Sequence, residues 1–386
     1  MKKKIFLLAL IILFLIGQGI VDRAAAKRPD IIYFASHTAG AGAYSLQGLV
    51  AEAIIEKVGI KVRLVPAGAD VARALMAYKG EAHTAALNSI SGWQIQEGLF
   101  EFSAPEWGPT PVRYLWIPEH VGAAMAVRGN SGVNKIEDLK GKKVATMPGS
   151  PSPQLMNEAF LAFGGLTWKD VVPVPHRGPV AAYSAVVKQR IDSTFFNLVS
   201  SQAYELASMP AGIRYLEMPP DNKEGWKRLQ RVCPPMSPKK ATVGANISEK
   251  NPAWVARQGY PNFLTWDKLD EDTAYYITKY LHECYDLYAK KNKSLSLDWT
   301  IDKCLSLFDD EVVPLHQGAI RYFKEIGRWN AEREKKNQER IAHQAKLKAL
   351  WDQTVKEAKQ KGIEGEKFSA FWMEKRAKAG FWTPQL

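Results

Sequence analysis

Cysteine is scarce in this chain, with three residues, Cys233, Cys284 and Cys304, among 386. No two of them are spaced as CxxC, so a zinc ribbon or a thiol redox centre has no support. An odd number leaves at least one thiol unpaired. The sequence allows either a Cys284–Cys304 disulfide or buried free thiols. A disulfide-rich scaffold is excluded.

Sequence signatures of catalysis are also missing. The seven histidines form neither an HExxH nor an HxH pair, and Gly-x-Ser-x-Gly does not occur. These spacings place zinc ligands or a nucleophilic serine in many hydrolases. The acidic run at residues 309–311 lies beside a predicted helix end and is typical of a solvated surface. The sequence therefore predicts a protein that is not an enzyme and binds no metal.

Positive charge is in excess, but it is not concentrated in the middle of the chain. There are 52 Lys and Arg against 40 Asp and Glu, a formal net charge of +12. Residues 331–386 contain 13 basic and 8 acidic residues, and residues 1–26 contain four basic and one acidic. A nucleic-acid-binding domain usually carries a concentrated basic patch. We therefore predict no nucleic-acid partner.

The N-terminus carries the one long apolar run. Lysines at 2–4 precede apolar residues 5–16, and alanines at 24–26 supply a small-residue cleavage site. This pattern predicts a signal peptide over residues 1–26, cleaved near Ala26, and a periplasmic mature protein. The alternative is an uncleaved anchor, although the run is short of the about 20 apolar residues that span a membrane.

Strands and helices alternate through the mature chain, which is the pattern of a sheet covered by helices. Glycines at 59 and 80 end the first two predicted helices. The predicted strands are 31–35, 60–65, 82–87, 113–117, 123–127, 144–147, 172–174, 193–196 and 242–247. The predicted helices are 43–58, 70–79, 154–163, 179–188, 269–290 and 297–308, with a short helix and turn at 135–143.

These elements predict an α/β protein of two hinged lobes, each a sheet flanked by helices. The first part of lobe I covers residues 27–127, and lobe II covers residues 128–240. Residues 241–330 return to lobe I and add helices. Residues 331–386 form a basic helical extension.

In open α/β sheets the ligand binds beyond the carboxyl ends of the strands. The small-residue loops at these ends are expected to face each other across a cleft between the lobes. The predicted ligand-binding residues are His37, Thr38, Gly40, Gly42, Tyr44, Gly68, Asn88 and Ser89 in lobe I, and Ser150, Ser152, Arg177, Tyr183 and Asn197 in lobe II.

The loops at 38–43 and 148–153 each lead into a helix, whose first N–H groups attract anions. Together they would hold a carboxylate; the alternative is that their glycines only permit tight turns. Tyr44 would close over the ligand or simply pack. Arg177 would pair with a carboxylate or lie exposed in solvent. Asn88 would hydrogen-bond a polar ligand or serve as a turn residue.

Five segments, in order, resemble the TAXI-type solute-binding proteins of TRAP transporters over about residues 30–328. They are TAGAGAYSLQG at 38–48, VRLVPAGADVA at 62–72, residues 127–144, RIDSTFF at 190–196 and PLHQGAIRYF at 314–323. The resemblance implies a periplasmic-binding-protein type II fold and capture of a small organic acid or amino acid. It also implies delivery to the membrane subunits of a sodium-coupled TRAP permease, with no cofactor, and it places His316 in a structural loop.

Two loops depart from that family. Asn88 and Ser89 stand where an acidic residue is common, and residues 148–153 replace a Gly-Ser-Gly-like loop. Both departures suggest a different ligand. Two alternative functions stay open: a ligand-sensing receptor for a membrane sensor kinase, and an exported enzyme on the same scaffold.

The extension at 331–386 lies beyond the resemblance. Helices are predicted over 331–361 and 366–379, with glycines at 362 and 365 between them. Three roles stay open: a hairpin packed on the protein's own surface, a dimer or permease contact, and a basic amphipathic helix on anionic lipid.

Overall fold

A computed structural model describes residues 27–39, 42–119, 122–147, 151–257 and 259–384. The predicted signal peptide at 1–26 and the candidates Gly40 and Ser150 lie outside the described residues. In the described ranges, no helix combines the length and the apolar character needed to cross a membrane.

Twelve strands form within these ranges. They are β1 (Ile31–Ser36), β2 (Lys61–Pro66), β3 (Thr84–Leu87), β4 (Val112–Trp116), β5 (Ala123–Arg128), β6 (Lys143–Thr146), β7 (Val172–Pro175), β8 (Thr194–Asn197), β9 (Ile213–Tyr215), β10 (Ser237–Ala241), β11 (Ala253–Arg257) and β12 (Asn262–Trp266).

Fourteen α-helices lie in the same part of the chain, together with 3-10 turns at Phe100–Ser103 and Ile136–Leu139. They are α1 (Gly42–Val58), α2 (Asp70–Lys79), α3 (Ser89–Glu97), α4 (Pro151–Phe163), α5 (Pro179–Val187), α6 (Ser201–Ser208), α7 (Lys223–Val232), α8 (Glu271–Glu283), α9 (Tyr285–Ala289), α10 (Lys293–Asp298), α11 (Ile301–Asp310), α12 (Gln317–Glu325), α13 (Ala331–Lys361) and α14 (Glu366–Lys378).

Lobe I is built on a five-stranded sheet in the order β2-β1-β3-β12-β4. The first three strands pair in parallel because α1 and α2 cross over between them, and the returning β12 pairs antiparallel with both neighbours. Helices α8 to α12 complete its core around Trp266 and Trp299, which are fully buried.

Lobe II has a sheet in the order β10-β11-β5-β8, with β9 also paired to β5, and a parallel pair β6-β7. Phe160 and Phe196 are fully buried in its core. Two sheets flanked by helices confirm the predicted two-lobed α/β fold. The sheet of lobe II runs from Ala123 to Arg257, so it starts before and ends after the predicted segment 128–240.

The predicted strand at 242–247 is wrong. The Ala245 N–H donates to the carbonyl of Leu198 at 2.8 Å, and Gly244 and Ile247 pair only as an isolated bridge. This segment is therefore a turn against the end of β8. The chain returns to lobe I through β11 and β12 instead.

Two helix predictions need correction. The long helix at 269–290 is interrupted at Cys284, where α8 ends and α9 begins. The helix predicted at 297–308 begins at Ile301, because the Thr300 hydroxyl caps it by accepting from the Lys303 N–H at 3.2 Å. Helices α3, α6, α7, α10 and α12 were not predicted.

The extension is a helical hairpin packed on lobe I, as the first of its three alternatives proposed. Trp351 of α13 meets Phe368 and Trp372 of α14 edge to face, at ring-centroid distances of 5.1 and 4.9 Å. The Trp372 indole donates to the Gly98 carbonyl at 2.8 Å. Gly108 lies directly against the Trp351 ring and adopts φ +67°, so no larger side chain fits there.

The three cysteines are free and buried, so the Cys284–Cys304 disulfide does not form. Burial raises the pKa of Cys284 to about 11 and that of Cys304 to about 12, which leaves both thiols unreactive. We expect the denatured, unreduced protein to titrate three thiols with Ellman's reagent and the native protein almost none. One thiol per denatured chain would contradict this.

Candidate functional site

The lobes touch where β3 and β6 end. Asn88 follows β3, and its amide donates to the Ser152 hydroxyl of α4 at 3.0 Å. The Asn88 Oδ1 atom accepts from the Ser91 N–H at 2.7 Å and so caps α3. One side chain therefore both starts a lobe I helix and reaches lobe II. Asn88 and Ser152, predicted as facing each other across the cleft, are brought into contact.

Arg73, which the sequence analysis missed, fixes the neighbouring loop. It is 1% exposed and donates to the carbonyls of Ala67 at 2.7 Å, Gly68 at 2.9 Å and Ala86 at 2.9 Å. It also forms an ion pair with Asp70. The charge of Arg73 is thus balanced locally, and the Gly68 loop is held rigid beside the end of β3.

His37 lies close to this ion pair. Burial lowers its pKa, the charge of Arg73 lowers it further, and Asp70 opposes the shift. The imidazole is therefore neutral at pH 7. Its buried Nδ1 atom has no hydrogen-bond partner among the described residues. No structural hydrogen bond from the described part of the chain therefore occupies the Nδ1 atom of His37, which was predicted as a ligand-binding residue.

Tyr183, on α5, is a buried candidate residue of lobe II. It is 5% exposed and stacks on Phe196 with ring centroids 4.6 Å apart. Burial raises its pKa, against a backbone hydrogen bond with Asn197, and the nearby Tyr260 raises it further. The hydroxyl therefore stays protonated and can donate.

Tyr260, also missed, links the two sides. Burial raises its pKa to about 12, and both Arg73 and Asp70 lie within electrostatic reach of its hydroxyl. It sits in the chain segment that returns from β11 to β12. A tyrosine in the segment that returns to lobe I is a signal that the sequence offers. It could not be used here, because the return was predicted at 242–247 and occurs after Arg257.

The remaining candidates differ in position. Ser89 is fully buried. Its hydroxyl donates to the Glu311 carboxyl group and accepts from the Gly259 N–H at 2.9 Å, so its role is structural. The others lie at loop or helix ends with their side chains or backbone at least partly exposed: Thr38, Gly42, Tyr44, Gly68, Arg177 and Asn197.

The two chain crossings run side by side at an isolated bridge between Glu119 and Gly259. Glu119 is 2% exposed, and it pairs with Lys239 of lobe II at 3.5 Å and Lys303 of lobe I at 3.0 Å. Burial alone would raise the pKa of Glu119, but Lys239 and then Lys303 lower it overall. The hinge is therefore bound by a buried ionic cluster that includes both lobes.

The site offers neutral donors and acceptors from both lobes and one internally balanced ion pair. Within the described ranges, no group of His, Cys, Asp or Glu residues could hold a metal ion. This chemistry suits reversible binding of a small polar molecule.

The sequence profile of the NMT1-like family matches residues 34–327. No curated protein matches the chain. The chain is similar to the periplasmic aliphatic sulphonate binding protein SsuA from Escherichia coli, with 16% identity, 93% of this chain and 94% of that chain covered, and a TM-score of 0.46. It is similar to PhnD1 from Prochlorococcus marinus in complex with methylphosphonate, with 12% identity, 78% and 100% covered, and a TM-score of 0.40. It is also similar to Rpa4515 of R. palustris with adipate, with 12% identity, 68% and 83% covered, and a TM-score of 0.42.

Proposed function

This chain belongs to the NMT1-like family, and we propose that it is an extracytoplasmic receptor that captures a small organic acid or amino acid between its two lobes. The observation that carries the proposal is the Asn88–Ser152 contact between the two lobes. The unpartnered Nδ1 atom of His37, near the Arg73–Asp70 ion pair, supports it. A ligand that engages both lobes would stabilise their closed arrangement about the hinge.

A carboxylate fits the donors around this contact. Helix α4 begins here with Pro151 and Pro153, which lack an N–H, so the N–H groups of Ser152 and Gln154 carry the partial positive charge of its first turn. The Ser152 hydroxyl, the Asn88 amide and the protonated Tyr183 hydroxyl add donors. Asp70, which lies within electrostatic reach of His37, forms an ion pair with Arg73, and this weakens its repulsion of an anion.

The resemblance to TAXI-type proteins supports delivery of the ligand to a sodium-coupled TRAP permease from the periplasm. Residues 314–323, which carry part of that resemblance, begin α12 on lobe I. Uptake by vesicles that contain the cognate membrane subunits should then require both this receptor and a sodium gradient. Uptake without the receptor would contradict delivery, while leaving ligand capture intact.

Ligand capture is tested by thermal shift of residues 27–386 against amino acids, dicarboxylates, 2-oxo acids, aromatic acids and neutral sugars. A ligand that binds only the folded state raises the melting temperature by mass action. We expect one class of acid to do so, and mass spectrometry of the denatured protein to identify any ligand that copurifies.

Two variants test whether that ligand binds between the lobes. Asn88→Ser keeps an N-cap but removes the amide that reaches lobe II, and Tyr183→Phe removes the hydroxyl. Each is expected to weaken binding about ten- to a hundredfold, since each removes a hydrogen bond to a charged group. Asn222→Ser, which replaces the cap of α7 in the same way, is the matched control. Equal affinity in all three variants would overturn the assignment.

A further inference from the structure

A second cavity lies where lobe I, lobe II and the extension meet. Its volume is about 430 Å³, within the range of small-molecule pockets. Its wall combines α3, Pro234 of lobe II, residues 309–312, the first half of α13 and Trp382. The family match ends at residue 327, so α13 and Trp382 are additions to the part that the family shares.

Most charges on this wall are already paired. The Glu97 carboxylate accepts from His343 at 2.6 Å and from Arg376 at 2.8 Å. Asp309 accepts from Arg333 at 2.9 and 3.1 Å. These groups hold the extension in place and are not free to bind a ligand.

Two polar atoms on the wall are left without a hydrogen bond among the described residues: Nη1 of Arg340 and Oε2 of Glu311, both buried. The Arg340 guanidinium lies over the Phe308 ring at 4.3 Å, which fixes its plane. Glu311 is 4% exposed, and its other oxygen accepts from Ser89. Buried polar atoms are nearly always hydrogen-bonded, so an unused cationic N–H beside an unused carboxyl oxygen points to an absent partner.

Part of the lining is apolar. Trp93 and Trp382 meet edge to face with ring centroids 4.7 Å apart, and Val312 also lines the cavity. The Trp382 indole donates to the Arg231 carbonyl of lobe II, so the end of the extension is fastened to the second lobe.

We propose that this junction cavity is a second ligand site, which takes a small monocarboxylate with an apolar body. The carboxylate accepts from Nη1 of Arg340 and from the protonated Glu311 side chain, and the apolar body lies against Trp93 and Trp382. Such a ligand contacts both lobes and the extension, so its binding is coupled to the arrangement of the cleft.

The site is probed with phenylacetate, benzoate and medium-chain fatty acids on residues 27–386, by calorimetry and by the fluorescence of the wall tryptophans. Phenylacetamide is the neutral control for phenylacetate. We expect at least one carboxylate to bind, and its affinity to fall about tenfold or more in Arg340→Gln, since a charge-assisted hydrogen bond is lost. Asn88→Ser and Tyr183→Phe should change this affinity far less than Arg340→Gln does.

The pH dependence gives a second measurement, which does not need Arg340→Gln to fold. Burial raises the pKa of Glu311 to about 7, partly offset by Ser89 and then by Arg340. Carboxylate binding should therefore weaken between about pH 6 and pH 8, as Glu311 loses its proton. Glu311→Gln should keep binding and abolish this dependence. The groups near Glu311 are Ser89, Tyr114, Cys233, Asp310 and Arg340. The other charged or titratable groups that line the same cavity are Glu97, Asp309, Lys336, Glu339 and His343.

Three results would overturn the proposal. One is that none of the carboxylates binds the wild-type protein at millimolar concentration. Another is that binding survives Arg340→Gln but is lost in the cleft variants. The third is that phenylacetamide binds as tightly as phenylacetate.

Discussion

Replacing Arg376 by alanine is expected to lower the free energy of unfolding by about 3–5 kcal/mol, because it leaves a buried carboxylate without its cation. Arg376 is fully buried and donates to the Glu97 carboxylate at 2.8 Å, the Glu97 carbonyl at 2.6 Å and the Trp382 carbonyl at 2.8 Å. One side chain thus joins α14 to α3 and holds the end of the chain.

Urea unfolding of the two proteins measures this effect as a change in the midpoint. Lys378→Ala is the control, because Lys378 lies on the same helix but is exposed, and it should leave the midpoint almost unchanged. A double variant with Glu97 replaced by methionine should recover much of the loss, because no unpaired charge remains. Equal midpoints for Arg376→Ala and Lys378→Ala would refute the role of Arg376.

The same pair predicts a pH dependence. Burial would raise the pKa of Glu97, but the hydrogen bond from His343 and the charge of Arg376 lower it overall. A carboxyl group with a lowered folded pKa stabilises the fold above its unfolded pKa and loses that contribution as pH falls through the folded value. The difference between wild type and Arg376→Ala should therefore shrink under acidic conditions, below about pH 4.

Replacing Arg73 by methionine should have the second large effect, on both stability and ligand capture. Three carbonyls, of Ala67, Gly68 and Ala86, would lose their donor, and Asp70 would lose its cation. A buried carbonyl left without its donor costs about 1–3 kcal/mol, whereas Asp70 is 38% exposed and keeps contact with water. Because the loop at 66–69 then moves, we expect the cleft ligand to bind at least about tenfold more weakly.

Arg73→Lys separates charge from geometry. Lysine keeps the positive charge beside Asp70 but cannot reach three carbonyls from one nitrogen. It should therefore be intermediate in stability and still impaired in binding. Arg63→Met, on an exposed position of β2, is the control. If Arg73→Met bound the cleft ligand like wild type, the loop would not belong to the site.

The sequence predicted the first strands and helices of lobe I best. Strands β1 to β3 and helices α1 and α2 were placed within about two residues, because their apolar periodicity is clear and glycines follow both helices. Helix α3 was missed because all nine of its residues are buried. Its SISGWQIQE sequence has five polar residues, but none of them is exposed, since lobe II and the extension cover the sides that usually meet solvent.

The residues of the site also differ in how well the sequence predicts them. Asn88 and Ser152 could be found because each lies where a strand ends or a helix begins. Arg73 could not, because it occupies the buried side of α2 and its partners are carbonyls that no sequence pattern reveals. Tyr260 depended on locating the return to lobe I, which was predicted at 242–247 but occurs after Arg257.

The burial of α3 also sets an order for biosynthesis. Trp93 and Glu97 are covered by residues 372–382, which are synthesised some 280 positions later. During synthesis the emerging chain exposes the Trp93 ring and the Glu97 carboxylate of this helix, and local folding cannot bury them. The final native contacts therefore form only after translation of the last turn of α14, and until then α3 is the surface that chaperones and proteases would recognise.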